Sequence, residues 1–322
     1  MPDNLNTGKG ILLVGAGAMA QEYAKILQKE GENFDVVGRG AQSAAKFASV
    51  TNKEVFTGGL DSFIAMRKMP SFTKAIVATG TEALKDTAVK LMQCGVNELL
   101  IEKPGAVSLD EVNELYEFSK RTTSKLFIAY NRRFYASVGR LKEMIKEDGG
   151  VLSFNFEFTE WAHKIEPLTK AKDVKENWFF ANSTHVVDLA FYLGGKPAEM
   201  SSYTAGKLSW HPVAIFAGAG STRSGALFTY QANWQAPGRW AVEVLTKHHR
   251  FYLRPLEKLQ VQQLGSVKIE DVPIDDVVDS QYKPGLFKQT TAFLHNRSAE
   301  LVTLEEHMEN CRYYRQMLGK AN

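Results

Sequence analysis

Gly10-Ile11-Leu12-Leu13-Val14-Gly15-Ala16-Gly17-Ala18-Met19-Ala20 is the stretch whose reading decides the fold. An apolar run of strand length stops at Gly15, and Met19, Tyr23, Ile26 and Leu27 then recur at helical spacing, which predicts strand, glycine turn, helix. Within it Gly15-Ala16-Gly17-Ala18-Met19-Ala20 has the form G-x-G-x-x-A. The first glycine permits a tight turn, the second lets a pyrophosphate approach the backbone, and the third small residue lets helix pack on strand. The helix start then presents unpaired N–H groups to phosphate.

Working outward, a second apolar run over Phe34–Val37 and a small-residue helix at 41–50 complete a βαβ unit, so the strands pair in parallel. The alternation continues through strand 75–79, helix 83–94, strand 97–101, helix 109–121 and strand 125–130. Ser108 with Glu111 three residues on predicts a capping box. Residues 1–130 therefore read as an α/β Rossmann domain, a doubly wound parallel sheet. After Tyr130 the pattern changes, with Leu152, Phe154, Phe156 and Phe158 alternating against polar neighbours, a strand buried on one side and of antiparallel type. Strand-like runs near 198–204, 213–218, 225–233, 239–246, 250–254 and 258–264 follow, then helices at 285–296 and 304–318, the last opened by Thr303 with Glu306. Residues 131–322 are expected to form an α+β domain for substrate binding and oligomerisation, with a large, mostly antiparallel open-faced sheet and closing helices that are candidates for packing back on the first domain.

A length of 322 residues suits two such domains, and 44% apolar with 23% charged residues is ordinary globular composition. Lys and Arg number 39 against 36 Asp and Glu, both signs interspersed, which excludes a basic nucleic-acid footprint. No apolar run of membrane length and no leader pattern is present, so a cytoplasmic protein without a membrane partner is expected. Cys94 and Cys311 stand alone, read as reduced, helix-borne core thiols.

The second strand ends Val36-Val37-Gly38-Arg39-Gly40, with no carboxylate to bind an adenosine ribose. Gly38 leaves room for a 2′-phosphate and Arg39 offers it a charge-assisted partner, with Ser43 adding a hydrogen bond, so NADP(H) is expected ahead of NAD(H). Gly15, Gly17, Ala18, Met19, Ala20, Gly38, Arg39, Ser43, Thr79 and Gly80 make up the expected cofactor contacts on this domain.

At Ile101-Glu102-Lys103-Pro104 and at Tyr130-Asn131-Arg132-Arg133-Phe134 the chain begins to resemble the glucose-fructose oxidoreductase, inositol dehydrogenase and rhizopine-catabolism (Gfo/Idh/MocA) family. The His185-x-x-Asp188 helix and a Leu-Glu-Glu-containing final helix extend the resemblance over nearly the whole chain. It implies hydride transfer to or from a carbonyl or hydroxyl of a sugar, cyclitol or nucleotide-linked keto sugar, by a homodimer or homotetramer. It implies further that Lys103 lies at the nicotinamide and substrate hydroxyl, that His185 exchanges the substrate proton, and that Glu102, Asn131 and Arg132 help hold the cofactor. Both roles suit the residue types, an ammonium stabilising a developing alkoxide and an imidazole titrating near neutrality. Trp161, Asn182, Thr184 and Asp188 complete the expected substrate contacts. Hydride transfer needs no metal, and the remaining histidines lack a ligand spacing, so none is expected. One departure stands out: the family commonly has an Asp four residues before this His, where this chain has Ala181. That leaves open a dinucleotide-binding sensor that has kept the fold and lost catalysis.

Overall fold

A computed structural model of the chain describes residues 10–66 and 72–320. The elements up to residue 129 are β1 (Gly10–Val14), α1 (Ala18–Lys29), β2 (Phe34–Val37), α2 (Ala41–Thr51), α3 (Gly59–Met66), β3 (Phe72–Val77), α4 (Leu84–Gln93), β4 (Glu98–Glu102), α5 (Leu109–Ser119) and β5 (Lys125–Ala129). Then come α6 (Ala136–Glu147), β6 (Ser153–Glu157), α7 (Ala162–Ile165), α8 (Lys172–Glu176) and, after one π turn at Phe179–Ser183, α9 (Thr184–Gly194). Seven strands follow: β7 (Pro197–Ala205), β8 (Ile215–Thr222), β9 (Leu227–Asn233), β10 (Ala241–Leu245), β11 (His249–Leu253), β12 (Gln260–Gln263) and β13 (Ile269–Asp271). The chain closes with α10 (Val277–Gln281), α11 (Leu286–Leu294), β14 (Val302–Thr303) and α12 (Leu304–Met317). It divides into two compact units, the residues up to Ala129 joined by Gln289–Met308, and Tyr130–Lys288 joined by the residues from Glu309 on.

The first unit is built on a sheet of order β14-β5-β4-β3-β1-β2. All neighbours are parallel except β14, which runs antiparallel to β5. Helices fill the crossovers, and β1 is buried along its whole length, as a strand covered on both faces must be. The expected capping box forms: Ser108 Oγ accepts the Glu111 N–H at 3.2 Å, and the Glu111 carboxylate reaches back to the Val107 N–H at 3.1 Å. Thr303 Oγ1 caps α12 through the Glu306 N–H at 3.2 Å. The two-residue β14 pairs with β5, and the end of α11 is tied in by Lys74, whose ammonium donates to the Phe293 carbonyl and Asn296 Oδ1, both at 2.7 Å, and pairs with Glu98 at 2.8 Å.

The second unit carries eight strands in the order β13-β12-β11-β10-β6-β9-β8-β7. One face buries Phe154, Phe156, Phe228, Tyr230, Val242, Val244 and Phe251 against α9, of which ten residues are themselves buried. Each such large side chain stabilises the unit by about 1.5–3 kcal/mol. The opposite face is polar, with Asn155, Glu157, Thr229, Gln231, Glu243 and Arg254 around a shallow concavity.

Three expectations need correction. β6 pairs antiparallel with β10 but parallel with β9, so the sheet is mixed at its centre; the long excursion between β6 and β9, through α9, supplies the connection that a parallel pair requires. Leu152 precedes the strand and is 61% exposed, so the buried face starts at Phe154. Cys94 is the half-buried C-cap of α4 and no core residue, although Cys311 is buried on α12.

Candidate active site

The first unit opens a cleft of about 760 Å³ at the carboxyl ends of β1, β2 and β3. Gly15, Gly17, Ala18, Met19, Gly38, Arg39, Ser43, Thr79 and Gly80 all line it, while Ala20 lies beneath, fully buried in the contact of α1 with the sheet. The glycines hold it open for different reasons. Gly15 sits at φ +128°, and a Cβ there would come within 2.3 Å of the Ala78 carbonyl oxygen, so the closeness of β1 to β3 excludes any side chain. At Gly17, the N-cap of α1, a Cβ would meet nothing within 4 Å. No protein packing requires glycine there, whereas a pyrophosphate laid on the helix N–H groups does. Gly38 is wedged between Ala16 and Val55, each 3.0 Å from a would-be Cβ, and the Gly59 N–H holds the Gly38 carbonyl at 3.0 Å. Arg39 projects into the cleft with its side chain 78% exposed. The motif did not reveal the far wall, where Gly58, Gly59, Glu82 and Lys90 stand and Lys90 pairs with Asp61 at 2.7 Å.

Lys103 follows β4, with its flanks pinned and the Lys103–Pro104 peptide cis. On one side the Glu102 carboxylate accepts from the buried Tyr23 hydroxyl at 2.7 Å. Burial, with the charge of Glu102 added, raises the Tyr23 phenol well above its usual range and keeps it a donor. On the other side the Pro104 carbonyl lies 2.9 Å from His307 Nε2, which must carry the proton because the carbonyl only accepts.

In the second unit His185 is buried on α9, its ring 5.8 Å edge-on from Tyr130 and 6.1 Å from Trp240. Asp188, one turn on, is committed elsewhere: Arg133 binds it bidentately at 2.8 and 2.6 Å and Asn310 adds a third bond at 3.3 Å. Thr184 is wholly buried, donating to the Phe180 carbonyl at 2.8 Å and accepting from Tyr130 at 3.2 Å. Both side chains are thus engaged by protein groups. Asn182 is half-buried, and with Ser183 it donates to Glu160 Oε1, at 2.9 and 2.8 Å.

Glu160 is the residue that sequence reasoning missed. It is 2% exposed, a carboxylate set beside the start of the helix that bears His185. The signal was present, because position 160 continues the alternation of Phe154, Phe156 and Phe158, and a Glu on a core-facing position is rare without a task. Arg239 stands 3.8 Å from the second Glu160 oxygen and stacks over both Trp161, at 4.8 Å, and Trp240, at 4.6 Å. Trp161 donates from Nε1 to the Gly238 carbonyl at 2.9 Å. Arg132 also lies over Trp240, at 4.7 Å, and Asn131 bonds the Pro284 carbonyl at 2.9 Å.

A glycine-lined cleft at the carboxyl edge of a doubly wound parallel sheet defines a dinucleotide-binding unit. Residues 9–130 match the model of the Gfo/Idh/MocA oxidoreductase family, described as having an NAD-binding Rossmann fold. The chain is 26% identical over 196 residues to glucose-6-phosphate 3-dehydrogenase of Bacillus subtilis (strain 168), the match taking in 58% of this chain and 53% of that one. It thus spans about half the length of that curated relative. Levoglucosan dehydrogenase, solved with NADH and levoglucosan, shares the fold at TM-score 0.76 and 17% identity, over 98% of this chain and 97% of that one. UDP-N-acetylglucosamine 3-dehydrogenase from Acidithiobacillus ferrooxidans does so at TM-score 0.70 and 16% identity, over 95% of each.

Proposed function

We propose that the protein is an NADP(H)-dependent oxidoreductase that moves hydride to or from a carbon bearing a hydroxyl or carbonyl on a sugar-like molecule. The observation that carries this reading is the first unit's cleft, in which Gly17 keeps the helix start bare and Arg39 stands where a ribose-binding acid would. Gly15, Gly17, Ala18 and Met19 would hold the pyrophosphate; Arg39 and Ser43 would take the 2′-phosphate; Thr79 and Gly80 would flank the dinucleotide. When bound, the nicotinamide supplies or accepts the hydride. Lys103 stabilises the substrate oxygen as negative charge develops, its backbone steadied by Glu102 and Pro104. In the second unit His185 gives up a proton during reduction and takes one back during oxidation. Asn182 and Trp161 contribute a hydrogen bond and an apolar face to the sugar.

A sensor that binds the dinucleotide without turnover is the competing reading, suggested by Ala181. Against it, Glu160 supplies a carboxylate next to Asn182 and Ser183, so the helix start is not without an acid. NADPH oxidation with a panel of keto sugars, and NADP⁺ reduction with sugars and cyclitols, decides the matter. Turnover is expected with at least one member, and tight cofactor binding with none turned over would leave the sensor.

A further inference from the structure

Next to His185 the second unit keeps a guanidinium that makes no close ion pair among the described residues. Arg132 and Arg133 are neighbours in sequence with opposite fates. Arg133 is neutralised by the bidentate grip on Asp188, whereas Arg132 makes no ion pair among the described residues. Its one side-chain hydrogen bond among the described residues is a long contact of 3.4 Å to Asn131 Oδ1. Arg132 Nε has essentially no exposed surface and no acceptor, and the same holds for Nε1 of Trp240, the ring over which this guanidinium lies. Buried donors are nearly always satisfied, so two orphans in contact mark a place where an acceptor belongs. A guanidinium cannot shed its proton to escape burial, so only an anion relieves it, and Trp240 offers no more than the partial relief of a cation-π contact. Burial lowers the Arg132 pKa, Arg239 adds to that, and the charges of Tyr135, Glu257 and Glu160 offset it only in part. Arg239 brings a second guanidinium to the same ring, half exposed and only loosely held by Glu160 at 3.8 Å. The His185 imidazole is 6.1 Å from Trp240, within the span of a single monosaccharide.

We infer that the substrate carries an anionic substituent, a phosphate monoester or a carboxylate, held by the guanidinium groups of Arg132 and Arg239 beside the Trp240 ring, one sugar ring away from His185. This rests on the reading of His185 and its surroundings as the sugar site. It places Arg132 with the substrate, because its neighbours are those of His185, and gives the selectivity over neutral sugars to a fork-shaped donor that fits either anion.

Calorimetry on the NADP⁺-loaded protein tests it without requiring turnover, with glucose, glucose 6-phosphate and glucuronate as probes. Tighter binding of either anionic probe than of glucose is expected, by on the order of 10- to 100-fold, and which one binds identifies the anion. Arg239→Gln, at an exposed position, should reduce that ratio, and Arg132→Lys, which keeps the charge but loses the fork, should reduce it further. In turnover the loss should appear in KM for the anionic substrate rather than in kcat. Equal binding of glucose and both anions, or a ratio untouched by both variants, overturns the inference while leaving the oxidoreductase reading intact. So does an Arg132→Lys protein whose NADP⁺ affinity itself collapses, since the arginine then serves the cofactor. No binding of any of the three by a protein that reduces NADP⁺ with some other neutral sugar also overturns it.

Discussion

Among the described residues the Arg39 guanidinium pairs only with Glu82, 4.0 Å away and itself 46% exposed, so little holds it before a ligand arrives. We expect NADP(H) to bind more tightly than NAD(H), and Arg39→Asp to reverse the order, losing on the order of 1.5–3 kcal/mol toward the phosphorylated dinucleotide. Calorimetry on both proteins checks this, and a wild type that prefers NAD(H) refutes it. Lys103→Met should leave cofactor affinity largely unchanged and slow turnover strongly, because an ammonium that acts as charge develops is felt in kcat. His185→Ala should lower turnover by about 10²- to 10⁴-fold per folded molecule; a fall in melting temperature with turnover intact would assign His185 to packing alone. The glycine turn was legible in the sequence because its geometry restricts it to few residue types. The bonds of Thr184 to Tyr130 and of Asp188 to Arg133 were not legible, because helical spacing reveals a shared face but not the partners that each group meets in the fold. A different histidine sets an acid limit. His211 is 3% exposed, and burial lowers its pKa from 6.5 to about 4 despite the Val213 carbonyl at 2.6 Å. The unfolded chain then takes up a proton that the folded one refuses, so stability is full above pH 6.5 and declines as the pH falls toward 4, by on the order of 3 kcal/mol in all. Replacing His211 with Gln should flatten that part of a denaturation profile recorded against pH.

At the scale of elements, α9 is the beam on which the second unit is assembled. Its inner side covers the phenylalanines of β6 and β9, and the Asp188–Arg133 pair bolts its middle to the turn that follows Tyr130. Removing one partner of a pair this deeply buried strands the other charge. Arg133→Met is therefore expected to cost about 3–5 kcal/mol in urea unfolding, far more than loss of an exposed pair such as Lys120–Glu117. Most elements could be read from the chain, the parallel strands as short apolar runs and the sheet of the second unit from alternation. Two escaped for different reasons. β14 is two residues long, Val302 and Thr303, and exists only because β5 offers it an edge. The parallel pairing of β6 with β9 is a matter of who lies beside whom, which alternation within one strand does not record. Glu160 escaped similarly, since its meaning depends on Asn182 and Ser183, which lie more than twenty positions away in the chain.

At the scale of the molecule, the first unit is not continuous in sequence. Residues 289–308 complete it, through β14 on the edge of β5, Lys74 on the end of α11, and His307 on the Pro104 carbonyl. A fragment ending at residue 130 would leave the β5 edge unpaired and the loop that bears Lys103 without one of its supports. Such a fragment should bind NADP(H) more weakly than the full chain and associate through the bare edge, visible as concentration-dependent growth in light scattering. A monodisperse fragment of full cofactor affinity would mean that the returning segment adds nothing.

The same interruption orders events on the ribosome. The strand that closes the sheet and the histidine that steadies the lysine loop are synthesised after the whole segment of the second unit that separates them from the glycine turn. The earlier-born unit must wait, half finished, while the later one is made. At about 5–20 residues per second that wait lasts on the order of ten seconds or more, a window in which a nascent chain holding an open strand edge has most need of a chaperone or of the dinucleotide itself.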